Sequence, residues 1–77
     1  MTFTKRDKYH AVSECGRYTI NKAGQGPGRV VYMAVLDAPP RSKILGTWRC
    51  ADEPGDRAAA YREAIAACEN HANGIPA

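Results

Sequence analysis

The chain has 77 residues, a net charge of +3, 44% hydrophobic residues and 25% charged residues. A chain of this length makes one small domain. It buries only about 60% of the surface its unfolded form exposes and has no room for a large substrate cavity within a second complete layer. The composition excludes wholesale disorder, and no apolar run approaches the roughly 20 residues needed to cross a bilayer.

Residues 1–8 include Lys5, Arg6, Asp7 and Lys8 with no apolar segment behind them. That is not the pattern of a secretory signal, and it reads as a flexible leader in a cytoplasmic protein. Residues 9–13 are a short first strand. Gly16 then supplies the positive φ of a tight hairpin turn. Residues 17–22 alternate strictly, with Tyr18 and Ile20 facing one way and Arg17, Thr19 and Asn21 the other. The run 23–28, with three glycines and a proline, is a loop. Residues 29–36 hold Val30, Val31, Tyr32, Val35 and Leu36, a near-continuous apolar run typical of a central strand. The paired prolines Pro39 and Pro40 predict a second loop over 37–42, because proline cannot donate to a ladder. Residues 43–49 form the last strand, and Gly46 marks a bulge or a close backbone approach in it.

Residues 56–72 carry the only clean helical period, within a helix expected over 52–73, whose start is open between a cap at Asp52 or Glu53 and a shorter helix capped by Asp56. Ala58, Tyr61, Ile65, Cys68 and Ala72 form one stripe, and Ala60, Ala64, Ala67 and His71 the neighbouring row. Alanine at so many inner positions lets the helix lie close to a sheet. Pro54 suits the first turn and the acids at 52, 53 and 56 suit the N-terminal dipole, while Gly74 and Pro76 stop the helix. The predicted fold is therefore α+β. A three- to four-stranded antiparallel meander over 9–49 is followed by one C-terminal helix on one face, all within a single domain spanning 1–77. Its expected core is Tyr18, Ile20, part of Val31, Met33 and Val35, Ile44 and Trp48, closed by Tyr61, Ile65 and Cys68.

No constellation of catalytic groups emerges. Cys15, Cys50 and Cys68 are widely spaced, and with His71 they lack the two close ligand pairs of a structural zinc site. They read as reduced, ordinary thiols, Cys15 being the most exposed. Gly24, Gly26 and Gly28 lead into a strand rather than a helix, so they do not form a phosphate-cradling loop. The expectation is a protein that is not an enzyme and has no cofactor and no metal.

Charge is unevenly spread. Residues 1–49 hold nine Lys/Arg against three Asp/Glu, and residues 50–77 hold two against five. The polar sheet face is thus expected to be basic, with Arg17, Thr19, Asn21, Tyr32, Lys43 and Arg49 as candidate macromolecule-binding residues. The runs Cys-Gly-Arg-Tyr-Thr-Ile at 15–20, Ile-Leu-Gly at 44–46 and Ala-Cys-Glu-Asn-His-Ala at 67–72 resemble small uncharacterised sheet-plus-helix proteins of bacterial and prophage genomes. The resemblance spans about residues 9–72 and carries no activity. It implies a standalone accessory protein rather than a fragment of an enzyme. The functional expectation is a binding or accessory protein that contacts a protein or nucleic acid through its free sheet face or an edge strand. A homodimer through a sheet edge is one form of this, a nucleic-acid-binding module using a basic sheet is the alternative, and no membrane partner is expected.

Overall fold

The computed structural model describes residues 1–37 and 41–74. The 37–42 loop expectation falls partly, and the Pro76 helix stop wholly, outside them. Five strands form one antiparallel meander in chain order: β1 (Phe3–Lys5), β2 (His10–Ser13), β3 (Tyr18–Gly24), β4 (Arg29–Leu36) and β5 (Lys43–Ala51). The helix α1 (Pro54–Ala72) follows and packs against β5, β4 and β3. The α+β architecture with one C-terminal helix stands, but the sheet has five strands rather than three or four.

The additional strand comes from the segment expected to be a flexible leader. Phe3 pairs with Ser13 and Lys5 with Ala11. Phe3 packs against the core, and the Glu14 N–H donates to the Thr2 carbonyl at 2.9 Å. Three residues are too few for alternation to register in the sequence, so only the partner strand reveals them.

The β2–β3 hairpin closes as the residues predict. Gly16 has φ 75°, and its N–H donates to the Ser13 carbonyl at 2.9 Å. The Ser13 hydroxyl, itself buried, accepts from the Tyr18 N–H at 3.1 Å.

Register decides which side of β4 is inside. Tyr18 lies opposite Leu36 and Ile20 opposite Ala34. Because Tyr18 and Ile20 face the helix, the even positions Val30, Tyr32, Ala34 and Leu36 do so too, and all are buried. Val31, Met33 and Val35 point the other way. Of these Val31 is nonetheless buried, as expected for part of the set, while Met33 and Val35 are only half-buried; the expected core is corrected for those two and at Ile44, which is 59% exposed. A continuous apolar run has no phase of its own, so the sequence could not select between the two sides of β4.

The helix rests on its small side chains. Ala60, Ala64 and Cys68 are its buried residues, and Ala64, Cys68 and Ala34 beneath them are fully inaccessible. Tyr61 and Ile65 pack on the flank of that line, so the buried stripe is rotated by one row from the expected one. The helix begins at Pro54 with Glu53 as its N-cap and ends at Asn73, after which Gly74 has φ 75°. At its C-terminal end the Tyr18 hydroxyl and the His71 Nδ1 are 2.9 Å apart, which satisfies the one polar atom of a tyrosine ring that is 1% exposed.

The β4–β5 register shifts between Ala34 and Val35, where Gly46 opposes Ala34 and Ile44 opposes Val35. Leu45 is the extra residue and packs into the core. The adjacent Gly46 is a close approach: a Cβ there would lie 2.6 Å from the Cη2 of Trp48. Gly46→Ala must therefore turn the Trp48 indole off its seat and should destabilise the fold by about 1–3 kcal/mol. Denaturant unfolding should show this loss, and much of it should be recovered in Gly46→Ala/Trp48→Leu, in which the clash is gone.

Candidate functional site

Two surfaces remain once the helix has covered its side of the sheet. The first is the opposite face, over which no described element packs. By register, one row across it reads Val12, Thr19, Val35, Ile44, and the next reads His10, Asn21, Met33, Thr47. A third row sets Val31 between Ala23 and Arg49. Its centre is aliphatic and its polar groups are mostly threonine hydroxyls. Arg29 and Arg49 lie toward one end, and Arg17 stands just beyond the other, before β3 begins. None of the three makes an ion pair among the described residues. The Arg17 end also carries Asp37, whose carboxylate accepts the Thr19 hydroxyl. The Asn21 Oδ1 is buried with no hydrogen-bond partner among the described residues.

The six candidate residues divide between the two sides of the sheet. Thr19, Asn21 and Arg49 share the uncovered face, whereas Arg17 precedes β3 and its guanidinium lies 6.0 Å from the centroid of the helix-facing Tyr18 ring. Tyr32 does not: it pairs with Lys22 and Trp48, is 7% exposed, and faces the helix, where its ring meets that of Tyr61 at 6.1 Å between centroids. Lys43 pairs with Leu36 and so falls on the helix side of the β5 edge. The uncovered face is thus less basic and more aliphatic than the composition of residues 1–49 suggests, and the aromatic expected on it is absent.

Four further cationic residues line the second surface, a cleft of about 300 Å³ on the helix side of the sheet. It opens between the β1–β2 hairpin and the start of α1. Lys5 and Lys22 line it because each shares its strand's helix-facing phase, and Lys8 and Arg57 line it too. Ile20, Tyr32 and Tyr61 also line it. Burial raises the pKa of both tyrosines, keeping their hydroxyls protonated. The one carboxylate in the lining, Asp7, accepts from the Tyr9 N–H at 2.7 Å and lies 3.0 Å from the His10 Nδ1. These two contacts lower its pKa, the backbone N–H contributing most. Sequence reasoning missed this cleft because its cations come from three separate segments, around residues 5–8, 22 and 57. Only the phase of Lys5 and Lys22 relative to the core residues of their strands hinted at it.

The three thiols stand apart. Cys15 is on the β2–β3 turn, Cys50 on β5 opposite Val30, and Cys68 in the core. Among the described residues no three His, Cys, Asp or Glu side chains come together as metal ligands, and no helix is long and apolar enough to cross a membrane. The chain matches no family model, no curated protein and no solved structure.

The thiols differ in environment. The contact with the Ser13 hydroxyl, followed by the Arg17 N–H, lowers the Cys15 pKa, while burial pushes that of Cys68 up to about 11. In native protein near neutral pH a thiol reagent should modify Cys15 first, then Cys50, and Cys68 only on unfolding. Mass mapping of a modification time course checks this. A thiol whose pKa is raised from 9.0 to about 11 in the fold lets the unfolded chain ionise first. Its contribution to stability is therefore whole below pH 9 and lost as pH rises to 11. Unfolding midpoints should fall across that window, and Cys68→Ala, though less stable overall, should show a shallower fall.

Proposed function

We propose that the protein is a non-enzymatic binding module that docks another protein on its uncovered sheet face. The surface it fits is apolar at the centre and lined with carboxylates toward the ends. The observation that carries this reading is the aliphatic set Val12, Met33, Val35 and Ile44 on a face no described element covers, with Val31 buried among its neighbours, Arg29 and Arg49 toward one end and Arg17 beyond the other. An apolar centre within a charged rim is the layout of a protein–protein contact. Arginine suits such a rim, because its planar fork meets a carboxylate with two hydrogen bonds.

Two rival modes are weaker on physical grounds. Single-stranded nucleic acid needs an aromatic platform for its bases, and the sheet's Tyr32 lies on the other side. Strand addition needs a flat edge. The nine-residue β5 edge is bent by the Leu45 bulge and bears Lys43 and Arg49, devices that blunt strand pairing.

The test is a titration of isotope-labelled protein, followed by NMR, with a strand-length peptide bearing valines on one face and glutamates at both ends. Shifts should concentrate at Thr19, Met33, Val35 and Thr47. Val35→Glu should abolish them, and Arg29→Glu/Arg49→Glu should weaken binding by about tenfold or more. The reading is overturned if a matching peptide with terminal lysines, or a single-stranded oligonucleotide, produces equal shifts on this face. A response confined to other surfaces also overturns it.

A further inference from the structure

From the cleft between the β1–β2 hairpin and α1 we infer a second, independent binding site, one for a small phosphate monoester that carries a flat or apolar group. The cleft lies on the opposite side of the sheet from the docking face, so neither site depends on the other.

Its charge points to an anion. Four cationic residues, Lys5, Lys8, Lys22 and Arg57, line it with one carboxylate residue, Asp7. Lys5 and Lys22 make no ion pair among the described residues, whereas Arg57 is held by Asp52 at 2.6 Å and the Lys8 ammonium lies 5.6 Å from the Tyr9 ring centroid. Asp7, whose oxygens meet the Tyr9 N–H and His10, offsets only one of these charges, so the lining keeps a positive excess. Bringing like charges together in this way is unfavourable without a counter-anion, and a phosphate dianion accepts from several ammonium groups at once.

The walls point to the rest of the ligand. Ala11, Ile20 and Ala58 line the cleft beside Tyr32 and Tyr61. The two rings meet at 60° with centroids 6.1 Å apart, an angled wall with Tyr32 behind and the half-buried Tyr61 in front. Inorganic phosphate would leave this apolar wall unused, and a neutral aromatic would leave the lysines unpaired. A volume of about 300 Å³ is at the small end for ligand sites, which limits the guest to a small molecule.

Calorimetric titration of the whole protein at low salt tests the site, with phenyl phosphate as the probe and inorganic phosphate, phenol and a single-stranded oligonucleotide as comparisons. Phenyl phosphate should bind saturably with a Kd of about 1 mM or lower, roughly tenfold tighter than inorganic phosphate or phenol. Lys5→Met/Lys22→Met should lose about tenfold or more in affinity, and Lys43→Met should lose nothing. Tyr61→Leu should erase the preference for phenyl phosphate over inorganic phosphate while retaining phosphate binding, a change that simple loss of structure would not produce. Unfolding midpoints confirm that each variant is folded. The inference is overturned if phenyl phosphate does not saturate the protein. Equal affinity for inorganic phosphate would overturn it, as would tighter, lysine-dependent binding of the oligonucleotide, which would assign the cations to phosphodiesters.

Discussion

The close seating of α1 on the middle of the sheet is the constraint from which the rest follows. Ala34 on β4 and Ala64 and Cys68 on the helix are all fully inaccessible. Small side chains on both surfaces let the helix backbone approach, and the larger Tyr18, Ile20, Tyr32 and Leu36 then close around the contact. Burying side chains of this size is worth roughly 1.5–3 kcal/mol each, so in a domain of 77 residues the arrangement permits little variation. A bulky residue at Ala64 would lift the helix and loosen the ring of contacts with Tyr61, Ile65 and Trp48 that flank the line.

That seating also determines what is left outside. Once Ala34 is beneath the helix, Val31, Met33 and Val35 must face away, because a strand's side chains alternate. The aliphatic outer face is thus a consequence of the same register that builds the core. The helix covers the β3–β5 side of the sheet, and its first turns stop short of the β1–β2 hairpin. The gap there is the cleft, and its floor is core: Ile20 and Tyr32 belong to the hydrophobic cluster and also line the opening. A ligand in the cleft would rest on the packed interior, whereas a partner on the outer face would rest on side chains held only by their cross-strand neighbours.

Part of the basic character of residues 1–49 divides between two surfaces with different chemistry. Arginines lie toward the ends of the outer face, where planar, bidentate contact to carboxylates is available. Lysines enter the cleft, where compact ammonium groups on flexible stems can converge on one anion. The acids of residues 50–77 face neither surface as a group. Asp52 restrains Arg57, and Asp56 sits in the first helical turn, where the dipole favours it.

Much of the architecture is legible in the amino-acid sequence alone. Tyr18 and Ile20 alternate with polar residues, Gly16 sits where a hairpin needs positive φ, and the alanine-rich segment after Pro54 repeats at helical spacing. Each is a local signal, set by backbone sterics or by a period within one element. The β1 strand, the side of β4 that faces in and the one-row rotation of the helix are not legible there, because pairing and packing between distant segments decide them. The same holds for function. Thr19, Asn21 and Arg49 can be placed on a common face from the alternation and register of their strands. Tyr32, in a run apolar on both sides, has no phase until Ile20 comes to lie opposite Ala34. The cleft assembles Lys5, Lys22 and Arg57 across more than fifty positions of chain. Convergence over that distance belongs to the tertiary structure, since no local pattern in a sequence encodes which distant charges will share a wall.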